Sequence, residues 1–278
     1  MKIAFQGEQG AYSEAAVLEY FGTGVEAVPC ESFDLVFENV EKGTVDSGMI
    51  PIENSLAGSI HRNYDLFSEH DLHIVGEHYL RIQHCLIGQP AARLEDIRLV
   101  ISHPQGLAQC DKNLRTLPHI KTEAVYDTAG AVKMLKDKDN TTAAIASRRA
   151  AEVYAMKILV EGFEDNKANY TRFLVISRNP IEPEKDAKTS IVFSLNNQPG
   201  SLFKALSVFA LRDLDLTKIE SRPLIGSPWE YMFYIDFIGG IKEPNTQKAL
   251  AHLGEYAVML RVLGSYPRFS MDKLKNKS

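Results

Sequence analysis

The chain has 278 residues, of which 45% are hydrophobic and 24% charged, and its formal net charge is −5. This composition is typical of a globular protein with one large or two ordinary domains. The mild acidity argues against a nucleic-acid binder, which usually carries a basic stripe. The sequence has no signal-peptide pattern and no apolar run of about 18 residues, so we expect no membrane association and a cytoplasmic location. The cysteines form no C-x-x-C pair, which favours reduced thiols: Cys30, Cys85 and Cys110.

Residues 1 to about 178 alternate short apolar strands with helical segments. The apolar runs predict strands at Ile3–Phe5, Ser47–Ile52, Arg98–Ile101, Ala124–Tyr126 and Ala143–Ala146. Helices are predicted over Glu14–Phe21 and Arg149–Ala155, and in segments that end at Leu114 and Lys136. Ser13 is the expected N-cap of the first helix and Gly22 its expected stop. This alternation predicts a parallel sheet with helices on its faces.

Polar residues in this region follow the strands and open the helices. In open α/β sheets this edge, at the carboxyl ends of the strands, is where ligands bind. Helix N-termini there offer unpaired N–H groups and a partial positive charge, which suit an acidic small molecule. Each of these Ser, Asn or Asp residues is equally well explained as a helix cap.

The pattern changes after residues 179–188, a segment whose two prolines and five charges indicate a linker. Residues 189–267 predict the order β-α-β-β-α-β, a ferredoxin-like module, and residues 268–278 a C-terminal tail. The predicted strands are Ser190–Leu195, Leu216–Arg222, Glu230–Ile238 and Val258–Leu263. The first predicted helix begins at Ser201 and the second spans Thr246–Leu253. Residues 224–228 are a predicted turn between the two middle strands.

Several kinds of site are disfavoured by spacing. The stretch Gly7–Gly10 lacks the G-x-G-x-x-G pattern, and no Walker lysine follows it, which argues against a nucleotide site. No G-x-S-x-G elbow is present, Cys110 is expected to be a packed residue, and the histidines show no metal-ligand spacing. We therefore predict no metal and no cofactor, and the residues alone lead to an α/β domain that binds a small anion.

Five segments, in order along nearly the whole chain, together resemble prephenate dehydratase. They are GEQGAYSE (7–14), GMIPIENSLAGSI (48–60), SHPQGLAQC (102–110), NYTRFLVI (169–176) and KIESRP (218–223). The resemblance implies a two-lobed catalytic domain like a periplasmic binding protein over residues 1–178, with the chain crossing between lobes near residue 80 and returning near the fourth segment. It also implies that residues 189–267 form an ACT regulatory domain. The implied reaction is loss of water and carbon dioxide from prephenate to give phenylpyruvate, in phenylalanine biosynthesis.

The resemblance also implies roles for individual residues. Thr171 matches the family's essential threonine and would donate a hydrogen bond to the departing hydroxyl. Asn54 and Ser55 would complete the catalytic set. Substrate contacts are expected from Ser102, Gln105, Thr128 and Phe173, with Ser13 and Ser59 as caps that orient helix N-termini toward a carboxylate. Arg172 either anchors a carboxylate or forms a structural ion pair.

In the small domain the resemblance implies allosteric inhibition by L-phenylalanine and assembly into a homodimer or homotetramer. The expected effector residues are Asn197, Gly200, Ser201, Leu202, Glu220, Ser221 and Arg222. A pure dimerisation module is the alternative. For the catalytic part, arogenate is an alternative substrate, and a non-catalytic two-lobed anion-binding sensor is an alternative function.

Overall fold

The structure is a computed structural model that describes residues 1–224 and 229–270. Most of the predicted turn at 224–228 and of the predicted tail at 268–278 therefore lies outside the described residues. In the described part, no helix is long and apolar enough to cross a membrane.

The strands and helices alternate along most of the chain. The strands are β1 Lys2–Gln6, β2 Glu26–Cys30, β3 Ser47–Asn54, β4 Gly58–Ser59, β5 His73–Arg81, β6 Cys85–Gly88, β7 Leu99–Ser102, β8 Lys121–Ala124, β9 Thr142–Ala146, β10 Lys157–Glu161, β11 Tyr170–Ser177, β12 Ala187–Leu195, β13 Leu216–Pro223, β14 Tyr231–Ile238 and β15 Ala257–Pro267. The helices are α1 Tyr12–Phe21, α2 Phe33–Lys42, α3 His61–Glu69, α4 Pro104–Gln109, α5 Asp111–Arg115, α6 Thr128–Met134, α7 Arg148–Val153, α8 Ser201–Ala210 and α9 Pro244–Tyr256.

These strands form three sheets. The first has the order β2-β1-β3-β11-β5, with β4 paired to β3, and the second has the order β10-β6-β9-β7-β8. The third, β13-β14-β12-β15, is antiparallel in its pairings, as expected for the predicted ferredoxin-like module. The chain leaves the first sheet after β5 at Arg81, builds the second sheet, and returns with β11 at Tyr170. This path agrees with the two crossings predicted from the sequence.

The described chain divides into two compact units. The first consists of residues 1–36, 49–59 and 79–173, and the second of residues 37–48, 60–78 and the described residues from 174 onward. In the first unit, the core around the second sheet contains fully buried side chains such as Val100 and Ile145. In the second unit, α8 and α9 cover one face of the third sheet, where Phe193 and Phe237 are buried. Both cores follow from apolar residues that recur at strand and helix periods.

Some local predictions need correction. The second sheet is mixed rather than parallel, because β6 pairs antiparallel with both β9 and β10. The predicted strand Ala124–Tyr126 is in fact β8, which ends at Ala124. The helix predicted at Arg149–Ala155 is α7, Arg148–Val153, followed by Ala155 at a positive φ of 54°. Left-handed backbone at that position is incompatible with continuing the helix.

The two serines predicted as caps do not cap helices. Helix α1 begins at Tyr12, so Ser13 lies inside it, and the Glu14 carboxylate instead accepts a hydrogen bond from the Gly10 N–H at 2.6 Å. Ser59 lies in the short strand β4, two residues before α3 begins, and it pairs with Glu53 of β3. The predicted stop at Gly22 is confirmed, with a φ of 81° and its N–H bonded to the Leu18 carbonyl.

Candidate functional site

The candidate site lies in the first unit, where the end of β3 meets the start of β11. Ser55 holds the two segments together: its backbone N–H donates to the Tyr170 carbonyl at 2.8 Å and its hydroxyl donates to the Ala168 carbonyl at 2.9 Å. The same hydroxyl accepts from the Tyr170 N–H at 3.0 Å. Because these bonds occupy the Ser55 side chain, its observed role is to fix the spacing between the residues on either side of it.

Asn54 and Thr171 are brought together at this junction. The Asn54 Oδ1 atom accepts hydrogen bonds from the backbone N–H groups of Leu56 and Ala57, each at 3.0 Å. The amide nitrogen therefore points the other way, and it donates to Thr171 Oγ1 at 3.0 Å and to Asn169 Oδ1 at 2.7 Å. Since Thr171 Oγ1 accepts from an amide, its own O–H is directed away from Asn54 as a donor. The Thr171 side chain is buried, with 8% of the residue exposed.

The hydrogen bonds continue from Asn169 to three further residues of the first unit. The Asn169 amide nitrogen donates to Gln109 Oε1 at 3.0 Å, and that oxygen also lies 2.8 Å from His84 Nε2. On the other side of the imidazole, His84 Nδ1 lies 2.8 Å from the Tyr12 hydroxyl. We call the six residues Tyr12, His84, Gln109, Asn169, Asn54 and Thr171 the polar chain.

Four members of the polar chain were missed by the sequence reasoning. Tyr12, Gln109 and Asn169 all lie within the segments that carry the family resemblance, but in each segment the sequence analysis assigned a site role to a nearby residue instead. His84 lies outside those segments and carries no local signal. The predicted Gln105 is exposed at the start of α4, whereas Gln109, one helical turn later, reaches Asn169.

Of the other predicted substrate contacts, Ser102 is bonded to a protein group and Thr128 lies at a helix N-terminus. Ser102 is fully buried and its hydroxyl donates to the Ile145 carbonyl at 2.6 Å. Thr128 begins α6, whose N-terminus is capped by the Asp127 carboxylate accepting from the Gly130 N–H at 2.7 Å. Burial raises the pKa of Asp127.

Arg172 lies on β11 next to Thr171 and is 2% exposed. One of its guanidinium nitrogens lies 3.6 Å from the Glu53 carboxylate, and the guanidinium carbon lies 6.0 Å from the centre of the Tyr79 ring. These contacts favour the structural ion pair of the two roles predicted for Arg172. Phe173, the next residue, is buried.

Burial favours the neutral form of four titratable side chains in or next to the polar chain. Burial lowers the pKa of His84 and raises that of the Tyr12 hydroxyl. Burial also raises the pKa of the Cys85 thiol to about 11, and it raises the pKa of Cys110, which is fully buried. Protonated, buried thiols are poor nucleophiles, so neither cysteine suits covalent catalysis. Within the described residues, no group of three or more His, Cys, Asp or Glu side chains has the arrangement of a metal site.

A second candidate site lies on the third sheet in the second unit. A pocket with an empty volume of about 360 Å³, including its open mouth, lies at the N-terminal end of α8. It is lined by Asn196, Asn197, Ser201, Leu202, Tyr231 and Phe233, among others. Gly200 precedes α8 in left-handed backbone, with a φ of 83°.

The predicted effector residues fall into two groups. Asn197, Ser201 and Leu202 line the pocket, with Gly200 directly before the helix. Ser221 pairs across the sheet with the pocket residue Phe233. Glu220 and Arg222 lie on the opposite face of β13, since successive strand residues alternate in direction.

On that opposite face, the third sheet contacts α3. The Arg222 guanidinium makes two hydrogen bonds to the Asp65 carboxylate, at 3.1 and 2.9 Å. Glu220 lies 3.2 Å from His61, and the Tyr234 hydroxyl donates to the Tyr64 carbonyl at 2.8 Å. A planar two-point pair of this kind fixes the orientation of both side chains.

Comparisons with known proteins match the chain along most of its length. Residues 3–181 match the family model described as prephenate dehydratase, and residues 189–255 match the one described as ACT domain. Arogenate dehydratase/prephenate dehydratase 2, chloroplastic, from Arabidopsis thaliana is 50% identical over 279 residues, which is 96% of this chain and 73% of that protein. Arogenate dehydratase 2 from Petunia hybrida is also 50% identical, over 96% of this chain and 72% of that protein.

Two solved structures are similar over nearly the full chain. Prephenate dehydratase from Arthrobacter aurescens, in complex with L-Phe, has a TM-score of 0.89 and 32% identity, covering 96% of this chain and 90% of that one. A protein described as GqqA, a novel type of quorum quenching acylase, has a TM-score of 0.91 and 36% identity, covering 98% of this chain and all of that one.

Proposed function

The chain belongs to the prephenate dehydratase family of hydro-lyases, and on that premise we propose that it dehydrates and decarboxylates prephenate, or its transaminated analogue arogenate, at the polar chain. The observation that carries the proposal is the direction of the hydrogen bond between Asn54 and Thr171. It leaves the hydroxyl of the buried residue Thr171 available as a donor.

The proposed chemistry needs a donor more than a base. The bond from the ring to the hydroxyl breaks with its electron pair on oxygen, and the bond to the ring carboxylate breaks with its pair passing into the ring. The products are carbon dioxide, an aromatic ring and a hydroxide that takes up a proton to become water. Hydroxide is a poor leaving group, so a hydrogen bond from Thr171 that strengthens as charge develops would stabilise the transition state.

Gln109 supplies a second proposed donor. Both protein donors on this side chain, from Asn169 and His84, reach its carbonyl oxygen. The amide nitrogen, with two hydrogens, is thereby presented as a donor to other groups. Substrates of this family carry two carboxylates and a hydroxyl, and an uncharged amide donor can bind either kind of oxygen.

Arogenate and prephenate differ by an ammonium in place of a keto group. The plant relatives are described as arogenate dehydratases or as acting on both substrates. Their identity to this chain, about half of the residues, supports testing arogenate on equal terms with prephenate.

The acylase among the similar structures suggests a second candidate function, hydrolysis of an N-acylated substrate. An acylase that acts through a covalent intermediate needs a nucleophile whose proton is accepted by a base. Thr171 instead receives a hydrogen bond from the Asn54 amide, which is a donor arrangement. The geometry therefore favours dehydration.

For the second unit, we propose that L-phenylalanine binds the pocket at α8 and inhibits turnover. The exposed N–H groups at the N-terminus of a ten-residue helix suit the carboxylate of an amino acid. Leu202, Tyr231 and Phe233 supply an apolar lining suited to an aromatic side chain. The relative solved with L-Phe is consistent with this effector.

The contacts of the third sheet with α3 offer a route for inhibition. Helix α3 directly follows residues 54–59, the segment that begins with Asn54. Arg222 binds the Asp65 carboxylate of α3. Arg261 donates hydrogen bonds to the carbonyls of Phe67 and His70, at the C-terminal end of α3, at 2.9 and 3.1 Å. A shift of the third sheet on effector binding would thus be carried to the helix that directly follows the catalytic segment in the chain.

Assembly and location remain predictions. Exposed large apolar side chains on the predicted ACT module, including Phe203, Leu211, Trp229 and Val258, support a homodimer or homotetramer formed through it. The cytoplasmic location rests on the sequence alone, and the Arabidopsis relative is described as chloroplastic.

The test is product formation by the purified protein from prephenate, from arogenate or from an N-acylated amine, whose amide bond an acylase would hydrolyse. Phenylpyruvate or phenylalanine formed from the first two, and suppressed by added L-phenylalanine, would support the proposal and the effector site together. Turnover indifferent to L-phenylalanine would overturn the effector assignment alone. Hydrolysis of the amide without dehydration would favour the acylase.

A further inference from the structure

Tyr12 and His84, at one end of the polar chain, contact none of the groups assigned to the reaction except Gln109. Both residues are in the first unit, and their rings meet edge to face with centroids 5.5 Å apart. The His84 backbone N–H also donates to the Glu164 carboxylate at 2.8 Å, which fixes the backbone at this point. His84 is therefore a buried imidazole with a fixed backbone position, in hydrogen-bond contact with Gln109.

The directions of the hydrogen bonds from Asn54 to His84 can be worked out from the Asn54 end of the polar chain. Two backbone N–H groups donate to Asn54 Oδ1, so Asn54 Nδ2 is the donor to Asn169 Oδ1. Asn169 must then present its amide nitrogen to Gln109, and the Gln109 atom that receives it is the carbonyl oxygen. These assignments follow from donor and acceptor capacity rather than from any visible hydrogen.

The tautomer of His84 follows from the hydrogen bond to Gln109. Its Nε2 atom lies 2.8 Å from the Gln109 carbonyl oxygen, which can only accept, so Nε2 carries the hydrogen. In the neutral ring Nδ1 is then an acceptor, and the Tyr12 hydroxyl lies 2.8 Å from it and 2.9 Å from the Gln83 carbonyl oxygen, so that its single hydrogen is shared between these two acceptors. The lowered pKa of His84 is consistent with a neutral ring.

Gln109 is affected directly by this arrangement. Its carbonyl oxygen receives two donors from different directions, one from Asn169 and one from His84. With both present, reversal of the amide would place an NH₂ group against two donors. With His84 removed, only the Asn169 bond opposes rotation of the amide, and the position of its nitrogen is less defined.

We propose that His84, with its proton on Nε2 and its Nδ1 held by Tyr12, is a positioning residue that fixes the Gln109 amide as a hydrogen-bond donor to the substrate. The inference rests on the proposed dehydratase function and extends it to two residues that do not touch the substrate.

The first test is a double-mutant cycle between His84→Ala and Gln109→Ala. Loss of positioning alone can cost up to about 100-fold in rate, so we expect His84→Ala to lower kcat roughly 10- to 100-fold with a smaller change in KM. In the Gln109→Ala background the same change should cost less than about twofold, because His84 then has nothing to position. An equal loss in both backgrounds, or no loss in the native background, would overturn the proposal.

Conservative variants separate positioning from simple packing. His84→Gln can place an amide nitrogen where Nε2 was, whereas the shorter His84→Asn cannot reach Gln109, so Gln should restore more activity than Asn. Tyr12→Phe should lower kcat, and Tyr20→Phe on the same helix is the matched control. Equal activity of the Gln and Asn variants at equal thermal stability would contradict the assigned role.

A spectroscopic measurement reads the tautomer without depending on turnover. In ¹⁵N-labelled protein near neutral pH, the His84 Nε2 resonance should be of the protonated, pyrrole type and the Nδ1 resonance of the unprotonated, pyridine type. The reverse pattern would overturn the proposal. If the native protein dehydrates neither prephenate nor arogenate, the proposed function is wrong. If the native protein is active and His84→Ala has the same kcat, only the role of His84 is wrong.

Discussion

Replacing Thr171 by valine tests the role of the hydroxyl with little change of shape. Valine removes the O–H donor and keeps a β-branched side chain on β11. The Asn54 amide loses Thr171 Oγ1 as an acceptor, yet its two hydrogens can still be donated to Asn169 Oδ1 at 2.7 Å and to the Tyr170 carbonyl at 3.2 Å. No donor is left unpaired, so the free energy of unfolding should fall only by about the net value of one hydrogen bond, ~0.5–1.5 kcal/mol.

The loss of activity should be far larger than the loss of stability. Removing one preorganised donor to a developing oxyanion typically costs about 10²–10³ in kcat, or ~2.7–4 kcal/mol of transition-state stabilisation. We expect at least this reduction for Thr171→Val, and a smaller one for Thr171→Ser, which keeps the hydroxyl but loses the methyl group that restricts its rotamer.

The assay is product formation from prephenate and arogenate under saturating conditions, with thermal unfolding of each variant measured in parallel. A Thr171→Val protein that is folded and retains kcat within roughly threefold of the native value would refute the role of the hydroxyl. So would a serine variant as impaired as the valine variant, because the two differ in the donor that the reasoning depends on.

Three further predictions concern stability and regulation. Above about pH 9 the free energy of unfolding should fall, because the Cys85 thiol, with its pKa raised to about 11 in the folded protein, ionises first in the unfolded chain. The slope from this group is at most ~1.4 kcal/mol per pH unit. Urea unfolding near pH 8 and pH 10 should show a smaller loss of stability between the two pH values for Cys85→Ala than for the native protein. Asp65→Asn removes the charge that Arg222 grips, so L-phenylalanine inhibition should weaken several-fold while uninhibited turnover is kept, and an unchanged inhibition curve would argue against the α3 route. Gly10→Ala should lower the thermal midpoint markedly, since its φ is +89° and an added Cβ would lie 2.7 Å from the Ala150 Cα atom, whereas Gly24→Ala, with open space around it, should not.

Much of the fold was predictable because its signals are local. Apolar runs such as Ala143–Ala146 predict buried strands, and Gly22 predicts the end of α1, where its φ of 81° is one that glycine adopts readily. The order of elements after residue 188 also follows from period alone. Strand β5 was not assigned from the sequence, because His73–Arg81 mixes charged and aromatic residues and acquires its place only by pairing within a sheet.

The site was predictable only in part, since its geometry depends on contacts between distant residues. Thr171 and Asn54 came from the resemblance, and the structure places them in one hydrogen bond across 117 positions of the chain. Ser13 is a residue type favoured at helix N-caps, yet Glu14 accepts a hydrogen bond from the Gly10 N–H and the helix starts at Tyr12. Likewise, the choice between Gln105 and Gln109 depends on which face of α4 meets Asn169, which no local pattern specifies.

The most direct test of the account is the rate of product formation from prephenate and arogenate by the native protein and by Thr171→Val, measured side by side. We expect dehydration of at least one substrate by the native protein and a loss of about 10²–10³ in kcat for the folded Thr171→Val variant. Folded native protein that turns over neither substrate, or a variant as active as the native protein, would contradict it.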